Sequence, residues 1–471
     1  MKRLQKDALL LTICLAQFMV ILDISIVNVA LPEIRTSLGF SDTGLQWVVN
    51  AYTLTFAGFL MLAGRATDLL PRRQVFLVGV GLFAAASLGC AVADGQGVLV
   101  GARAIQGFGA AVISAASLAI VTSSFAEGAE RNRALGLWAA MGGIGGAAGA
   151  LLGGALTQAF DWPAVFVINV PVGLAVLLAG RRLIPVQGAV AHERKLDVPG
   201  AVLISAGLTA VVYGIVRTDT LGWASLGVLV PLALGIVLLG LFALVEGKLA
   251  ADPLIPLGVF KMPALRAANL IVALLYAATF AMWYFVSLFL QEVKAEDALV
   301  AGISFLPLTL CFFAGSATAP KLVARLGVRA TLTLGMVVSM IGFLVLATVQ
   351  ASSAYEVAIL PGGVLVTLGG GWSLVPATIV AVKGVPAAQN GLASGVVNTS
   401  RMVGGTLGLA VLTTLATSRT NDLLGGGTTQ LGALTGGYRL AFLIGAGLCL
   451  LGAAAAVTLL RGRPEAVPQA A

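Results

Sequence analysis

Apolar runs of about 20 residues recur along the whole chain, and that repetition constrains the fold more than any other feature of the sequence. The hydrocarbon core of a bilayer is about 30 Å thick and offers no water to the backbone, so a spanning segment must close its own hydrogen bonds. A helix does so. About fourteen spans are legible, near 8–29, 46–63, 75–93, 97–119, 134–157, 164–180, 198–216, 226–245, 267–290, 301–322, 330–349, 357–382, 391–416 and 438–460. Of the 471 residues 59% are hydrophobic and 10% charged, and the mean hydropathy is +1.00. That leaves too few polar side chains to cover a soluble globule of this size.

The net charge of +8 suggests an anionic partner until the charges are placed. About twenty-one of the Lys and Arg lie at the termini and at alternate connections, among them Arg72, Arg73, Arg131, Arg181, Lys248, Arg325 and Arg461, against about five at the opposite connections. This asymmetry puts both termini in the cytoplasm. A nucleic-acid partner would need a concentrated basic domain, which the sequence lacks. The opening MKRLQK and its apolar run resemble a signal peptide but lack a small-x-small cleavage site, so they read as an uncleaved first span. Cys14, Cys90, Cys311 and Cys449 fall inside spans as packing residues, too scattered for a metal site. His192, the one histidine, reads as a solvated loop residue.

An internal echo suggests the architecture. The stretch from Gly64 to Arg73 after the second span and the stretch from Pro320 to Arg329 after the tenth share a helix end, a tight turn and closing arginines. Such repeats mark transporters whose halves rock about a midplane site. The expected organisation is an N-terminal six-helix bundle (1–182), a loop with two inserted spans (183–263), a C-terminal six-helix bundle (264–461) and a tail (462–471).

Within that frame the chemistry concentrates at Asp23, the one carboxylate well inside an apolar run. An aspartate at the centre of a membrane helix costs about 2.5–3.5 kcal/mol and persists mainly where it faces a cavity or a partner. Thr12, Ala16, Asp23 and Ala30 share one helical line, which turns Asp23 toward the bundle interior. The alternative is a carboxylate held in a structural pair. Arg103 shares a small, polar face with Gly107, Ala110 and Ser114; it hydrogen-bonds the substrate path, or modulates Asp23, or has a purely structural role bridging backbone carbonyls. Glycines at spacing four in the fifth span (Gly145, Gly149, Gly153, and Gly142, Gly146, Gly154) allow close helix approach. Trp47, Asn50, Tyr52, Trp372 and Asn398 are candidates to line an amphipathic cavity, with interfacial anchoring the alternative for Trp47 and Tyr52.

Taken in order, these motifs resemble the fourteen-span drug:proton antiporters of the major facilitator superfamily. The resemblance rests on Leu22-Asp23 through Asn28 to Pro32, Gln46-Trp47 through Asn50 and Tyr52 to Leu54, Gly64 to Arg73, Arg103 to Gln106-Gly107, Gly145 to Gly154, Asn169 to Gly173, and Gly391 to Asn398 and Arg401. Gly146 and Ala150 stand where the family's antiporter motif has prolines. Pro71 and Leu69 depart from the loop motif, and Pro163 and Ala164 replace an Arg-Trp pair.

The resemblance implies that Asp23 binds the coupling proton under the influence of Arg103. It also implies that Gly64, Asp68, Arg72 and Arg73 help close the cytoplasmic side, and that Gly145, Gly149, Gly153 and Gly154 serve a moving interface between bundles. Asn28, Gln106 and Arg401 join the candidate cavity lining on the same ground.

The expectation is therefore an all-α membrane protein with a major facilitator fold, two six-helix bundles plus two additional helices, in a bacterial cell membrane. It would be a proton-coupled exporter of small amphipathic compounds, with the proton as coupling ion and no other cofactor. A metabolite facilitator or importer on the same fold is the alternative. No GxxxxGK[ST] sequence suggests ATP, and no constellation of paired acids or activated nucleophile suggests an enzyme.

Overall fold

The computed structural model describes residues 3–126, 129–185, 197–249, 262–382 and 390–460, and among these every regular element is a helix. The first half holds α1 (Arg3–Leu38), the short α2 (Asp42–Leu45), α3 (Trp47–Leu69), α4 (Arg72–Ala91), α5 (Gln96–Ser124), α6 (Ala129–Phe160), α7 (Ala164–Val167) and α8 (Asn169–Leu183). Next come α9 (Val198–Leu221) and α10 (Leu226–Leu244), which ends in a π turn at Val245–Leu249. The remainder is α11 (Pro263–Leu288) with a π turn at Phe289–Val293, α12 (Ala298–Leu326), α13 (Val328–Leu346), a π turn at Tyr355–Ile359 leading into α14 (Leu360–Val382), α15 (Asn390–Gly425) and α16 (Gln430–Leu459).

Thirteen stretches of the described residues are long and apolar enough to cross a membrane. The helix at the place of the expected thirteenth span, α15, falls outside that set because polar residues dilute both its halves, Asn398, Ser400 and Arg401 in the first and Thr413, Thr414 and Arg419 in the second. Most helices overrun the apolar runs at their ends, since backbone hydrogen bonding continues into the polar boundary. The sixth span divides at Ile168 for a local reason: Pro171 has no N–H to offer the Val167 carbonyl, so α7 stops and α8 begins. Ser41, Asp197, Ser225 and Thr429 cap the helices that follow them by accepting a backbone N–H. His192, Lys2, Lys261, Lys383 and the tail from 461 lie outside the described residues.

The chain divides into two units, Met1–Pro256 with Ala295–Leu306, and Leu257–Lys294 with Pro307–Ala471. In the first, α1 packs on α6, α5 and α8, while α4 packs on α5 and α8. In the second, α11 packs on α15, α14 and α16, while α13 packs on α14 and α16. Helix for helix this is one arrangement used twice. The paired contact of α3 with α5 has its counterpart where Gly371 of α14 meets the backbone of Phe312 in α12.

The sequence echo has a structural equivalent as well. Arg73, at the start of α4, donates to the carbonyl of Arg181 near the end of α8, and Arg329, at the start of α13, donates to the carbonyl of Val457 near the end of α16. Gly327 makes the second turn possible with φ +81°, a left-handed conformation that glycine adopts without steric cost. The inserted pair attaches to the first unit: α9 lies on α3, with Ser205 against Gly58, and α10 lies on α9.

Glycines set the close crossings. A Cβ on Gly109 would fall 2.9 Å from the backbone nitrogen of Phe83, whereas one on Gly101 of the same helix would meet nothing within 4 Å. Gly109→Val is expected to cost about 1–3 kcal/mol and to lower the melting temperature in detergent. Gly101→Val should leave it unchanged, and equal effects would show that the crossing does not limit stability.

Candidate functional site

Asp23 sits near the middle of α1 with no exposed surface, and the stripe predicted to face inward (Thr12, Ala16, Asp23, Ala30) is buried along its length. Its carboxylate does not stand alone. Arg103 of α5 donates through Nη1 to Oδ2, while Oδ1 accepts from Gln106 Nε2 at 2.7 Å and from Asn169 Nδ2 at 2.9 Å. Three helices, α1, α5 and α8, therefore meet at one carboxylate.

The surrounding groups complete the arrangement. Arg103 Nε donates to the Val48 carbonyl at 2.8 Å and Nη1 also donates to Gln106 Oε1 at 2.7 Å. The guanidinium carbon lies 4.4 Å from the centroid of the Tyr52 ring and 5.7 Å from that of Phe166. Ser87 of α4 accepts from both Gln106 and Asn169 at 3.0 Å and donates to the Phe166 carbonyl at 3.0 Å. The Tyr52 hydroxyl donates to the Val20 carbonyl at 3.3 Å, returning the network to α1. A charge taken out of water is tolerated where paired and hydrogen-bonded, and each charge here has both.

The structural pairing that the sequence left open as an alternative is thus present, with Arg103 as its partner. Asn50, Tyr52 and Gln106, read as candidates to line a cavity, are fully buried; Gln106 bonds to both members of the pair and Tyr52 gives the guanidinium its ring face. Asn50 donates to Gln46 Oε1 at 3.3 Å. Trp47 packs against Tyr213 of α9 with ring centroids 6.3 Å apart, and half-buried Asn28 donates to its own helix at Ile24.

Trp372, Asn398 and Arg401 belong to the second unit. Trp372 donates to Thr318 at 2.8 Å, and the Arg401 guanidinium lies 5.3 Å from the ring centroid of Tyr276. Asn169 and Ser87 were not singled out for a role by sequence reasoning. Asn169 had a usable signal, an amide inside an apolar run that needs a partner in lipid; a lone serine among alanines gave none.

The fifth-span glycines form a seam. Cβ atoms on Gly145, Gly149 and Gly153 would fall 3.1, 2.6 and 2.7 Å from atoms of Ile21, Ser25 and Ile26 respectively, all on α1. Ser25 donates to the Gly146 carbonyl across the seam at 2.7 Å. Only Gly154 of the four turns elsewhere, toward the Ala298 carbonyl at the start of α12. The seam is therefore chiefly a contact of α6 with α1 inside the first unit. At its exposed end Lys6 pairs with Glu130 at 2.8 Å, and that hydrogen bond holds the Glu130 carboxyl below its usual range. At the loop motif, α3 ends just after Asp68, whose side chain lies outside the described residues, and Gly64 faces open space.

The profile of the Major Facilitator Superfamily matches residues 13–409. The chain belongs to this family. A cephamycin export protein of Amycolatopsis lactamdurans is 40% identical over 410 residues, covering 87% of this chain and 84% of that one. A puromycin resistance protein of Streptomyces alboniger is 37% identical over 467 residues, covering 98% and 92%. A bacterial homologue of the human lysosomal transporter Spinster, solved in an inward-facing, occupied conformation, matches 98% of each chain with a TM-score of 0.71 at 15% identity, a likeness of fold alone. The protein is a multi-pass, all-α membrane protein of the superfamily, with thirteen apolar membrane-crossing stretches among its described residues.

The site makes a directional test of its own energetics. Arg103→Met leaves the Asp23 carboxylate buried without its cation and is expected to cost about 3–5 kcal/mol. Asp23→Leu in the same chain should recover most of that loss, as read from thermal unfolding of the single and double variants. A double variant no more stable than Arg103→Met would show that the pair does not govern the stability of this region.

Proposed function

We propose that the protein is a secondary active exporter of small amphipathic compounds, of the antibiotic or toxic-metabolite class, driven by inward movement of protons. The observation that carries the substrate class is the near full-length similarity to relatives named for cephamycin export and puromycin resistance. The proton assignment draws support from the geometry at Asp23, a buried carboxylate whose only ion-pair partner among the described residues is Arg103.

In this reading the ionised Asp23 ties α1 to α5 and α8. Protonation from the outer side removes the Coulombic part of its pairing with Arg103, whose guanidinium keeps the Val48 carbonyl and Gln106 Oε1 as acceptors. The tie loosens, substrate leaves outward, and the carrier returns to release the proton on the cytoplasmic side. Arg73 braces the cytoplasmic end of α4 against α8 throughout. The charge asymmetry of the connections supports cytoplasmic termini, and the bacterial sources of the similar export and resistance proteins support a bacterial cell membrane as the location. The membrane potential assists any step that moves net charge, by about 2.3 kcal/mol per charge per 100 mV.

Asp23→Asn, purified and reconstituted in vesicles, should lose accumulation of substrate under an imposed pH difference; because the change strips buried Arg103 of its counter-ion it also lowers the unfolding temperature, so transport is compared at a temperature where the variant is shown to be folded. Retained uphill transport would refute the proton role. With a single deep acid, export of a singly charged dye should exceed that of a dication of similar size in the same vesicles. Equal rates would overturn that expectation.

A further inference from the structure

The two inserted helices carry a feature that the proposed export mechanism does not use. Between α3, α9 and α10 runs a groove of about 570 Å³, walled by Phe59 on α3, Val202, Ala206 and Ala210 on α9, and Val230 and Leu234 on α10. Its few hydroxyls offer little to a polar ligand. Thr209 returns its proton to the Ser205 carbonyl at 2.7 Å, and Ser205 Oγ is turned against α3, 1.8 Å from where a Cβ on Gly58 would lie. The groove lies within stretches apolar enough to be in the hydrocarbon, where an apolar concavity accepts an apolar chain.

One end of the groove is different in kind. Tyr213, the last of its α9 wall, tilts against Trp47 at 6.3 Å, and the Arg217 guanidinium lies 5.0 Å from the Tyr213 ring centroid. Tryptophan and tyrosine at a span end mark the level of the headgroups. From Val202 to Tyr213 the wall is about 16 Å long at about 1.5 Å per residue, close to the roughly 15 Å of one leaflet. Ser205, Thr209, Tyr213 and Arg217 follow one another at spacing four, so the cation continues the line of the wall where a phosphate would sit.

We propose that this groove holds one acyl chain of a phospholipid of the leaflet at the Trp47 end, with the lipid phosphate at Arg217 and a preference for an anionic headgroup. Phosphate recognition by a guanidinium at the interface and burial of a chain along small side chains explain the two ends together. Ala206 and Ala210 leave the room that larger residues would fill.

The test uses the purified full chain with a phosphatidylglycerol whose acyl terminus carries a photoreactive group, followed by peptide mapping. Crosslinks are expected to concentrate on the segments 202–213 and 230–238 and to be competed by unlabelled phosphatidylglycerol more effectively than by phosphatidylcholine. Arg217→Gln should reduce that preference about fivefold, the factor one basic residue confers at a membrane surface. Ala210→Phe should remove the crosslinks, whereas Ile236→Phe, on an α10 residue outside the groove, should retain them.

Labelling spread evenly over all lipid-facing helices would mean ordinary annular lipid and overturn the proposal. So would displacement of the label by an amphipathic dye but not by unlabelled lipid, which would assign the groove to a transported compound. Should Ala210→Phe fail to fold, the crosslink map of the unmodified chain and the Arg217→Gln preference still decide.

Discussion

The ion pair of Asp23 and Arg103 is the constraint on which the first unit depends. Neither charge is tolerable alone at that depth, and each draws further groups into the apolar interior: two amides and a serine for the carboxylate, a backbone carbonyl and two aromatic faces for the guanidinium. Those groups come from α1, α3, α4, α5, α7 and α8. Removing the pair would leave the amides to satisfy one another, so its presence specifies which helices meet and in what register.

The second unit repeats the helix arrangement without repeating this chemistry. At the α11–α15 crossing Ser400 donates to Asn269 at 2.8 Å and Arg401 stacks on Tyr276, with no carboxylate paired to Arg401 among the described residues. The shared elements are instead the mechanical ones: close glycine crossings and an arginine that ties the third helix of each unit to the sixth. What holds each bundle together is common to both units, whereas the buried ion pair among the described residues lies in the first.

Much of this was legible in the residues. Span positions follow from apolar runs because lipid forces each run to be helical, and the inward direction of Asp23 follows from the period of the helix. The Pro171 break and the Gly327 turn are local covalent facts that a sequence states directly. Contacts between distant segments were less accessible. That Arg103 reaches Asp23 was one of three readings, because a helical face names the side a residue points to but not its partner. Asn169 and Ser87 entered the site only through tertiary packing, and Asn50, Tyr52 and Gln106 were assigned to a cavity because polar residues in spans signal burial or water equally well. The glycine seam was recognised, yet spacing alone did not reveal that three of its members face α1 and one faces α12.

That division gives the seam a physical meaning. The same stretch of α1 carries Asp23 on one face and Ile21, Leu22, Ser25 and Ile26 on the face that meets Gly145, Gly149 and Gly153. With no side chains on these α6 glycines, the α6 backbone lies directly against the carbonyls and Cβ atoms of α1, which leaves little room to absorb a displacement of α1. The helix α6 contains no proline and runs unbroken from Ala129 to Phe160, although its motif usually bends at two. An unbroken helix in tight contact moves as a body. In the proposed mechanism a shift of α1 on protonation of Asp23 would pass to α6 along the seam, and from Gly154 to the first turns of α12, which Gly154 and Gly302 bring against α6. Gly146 and Ala150 need no hinge for this: straightness of the helix and closeness of the seam take the place that a proline bend would otherwise fill.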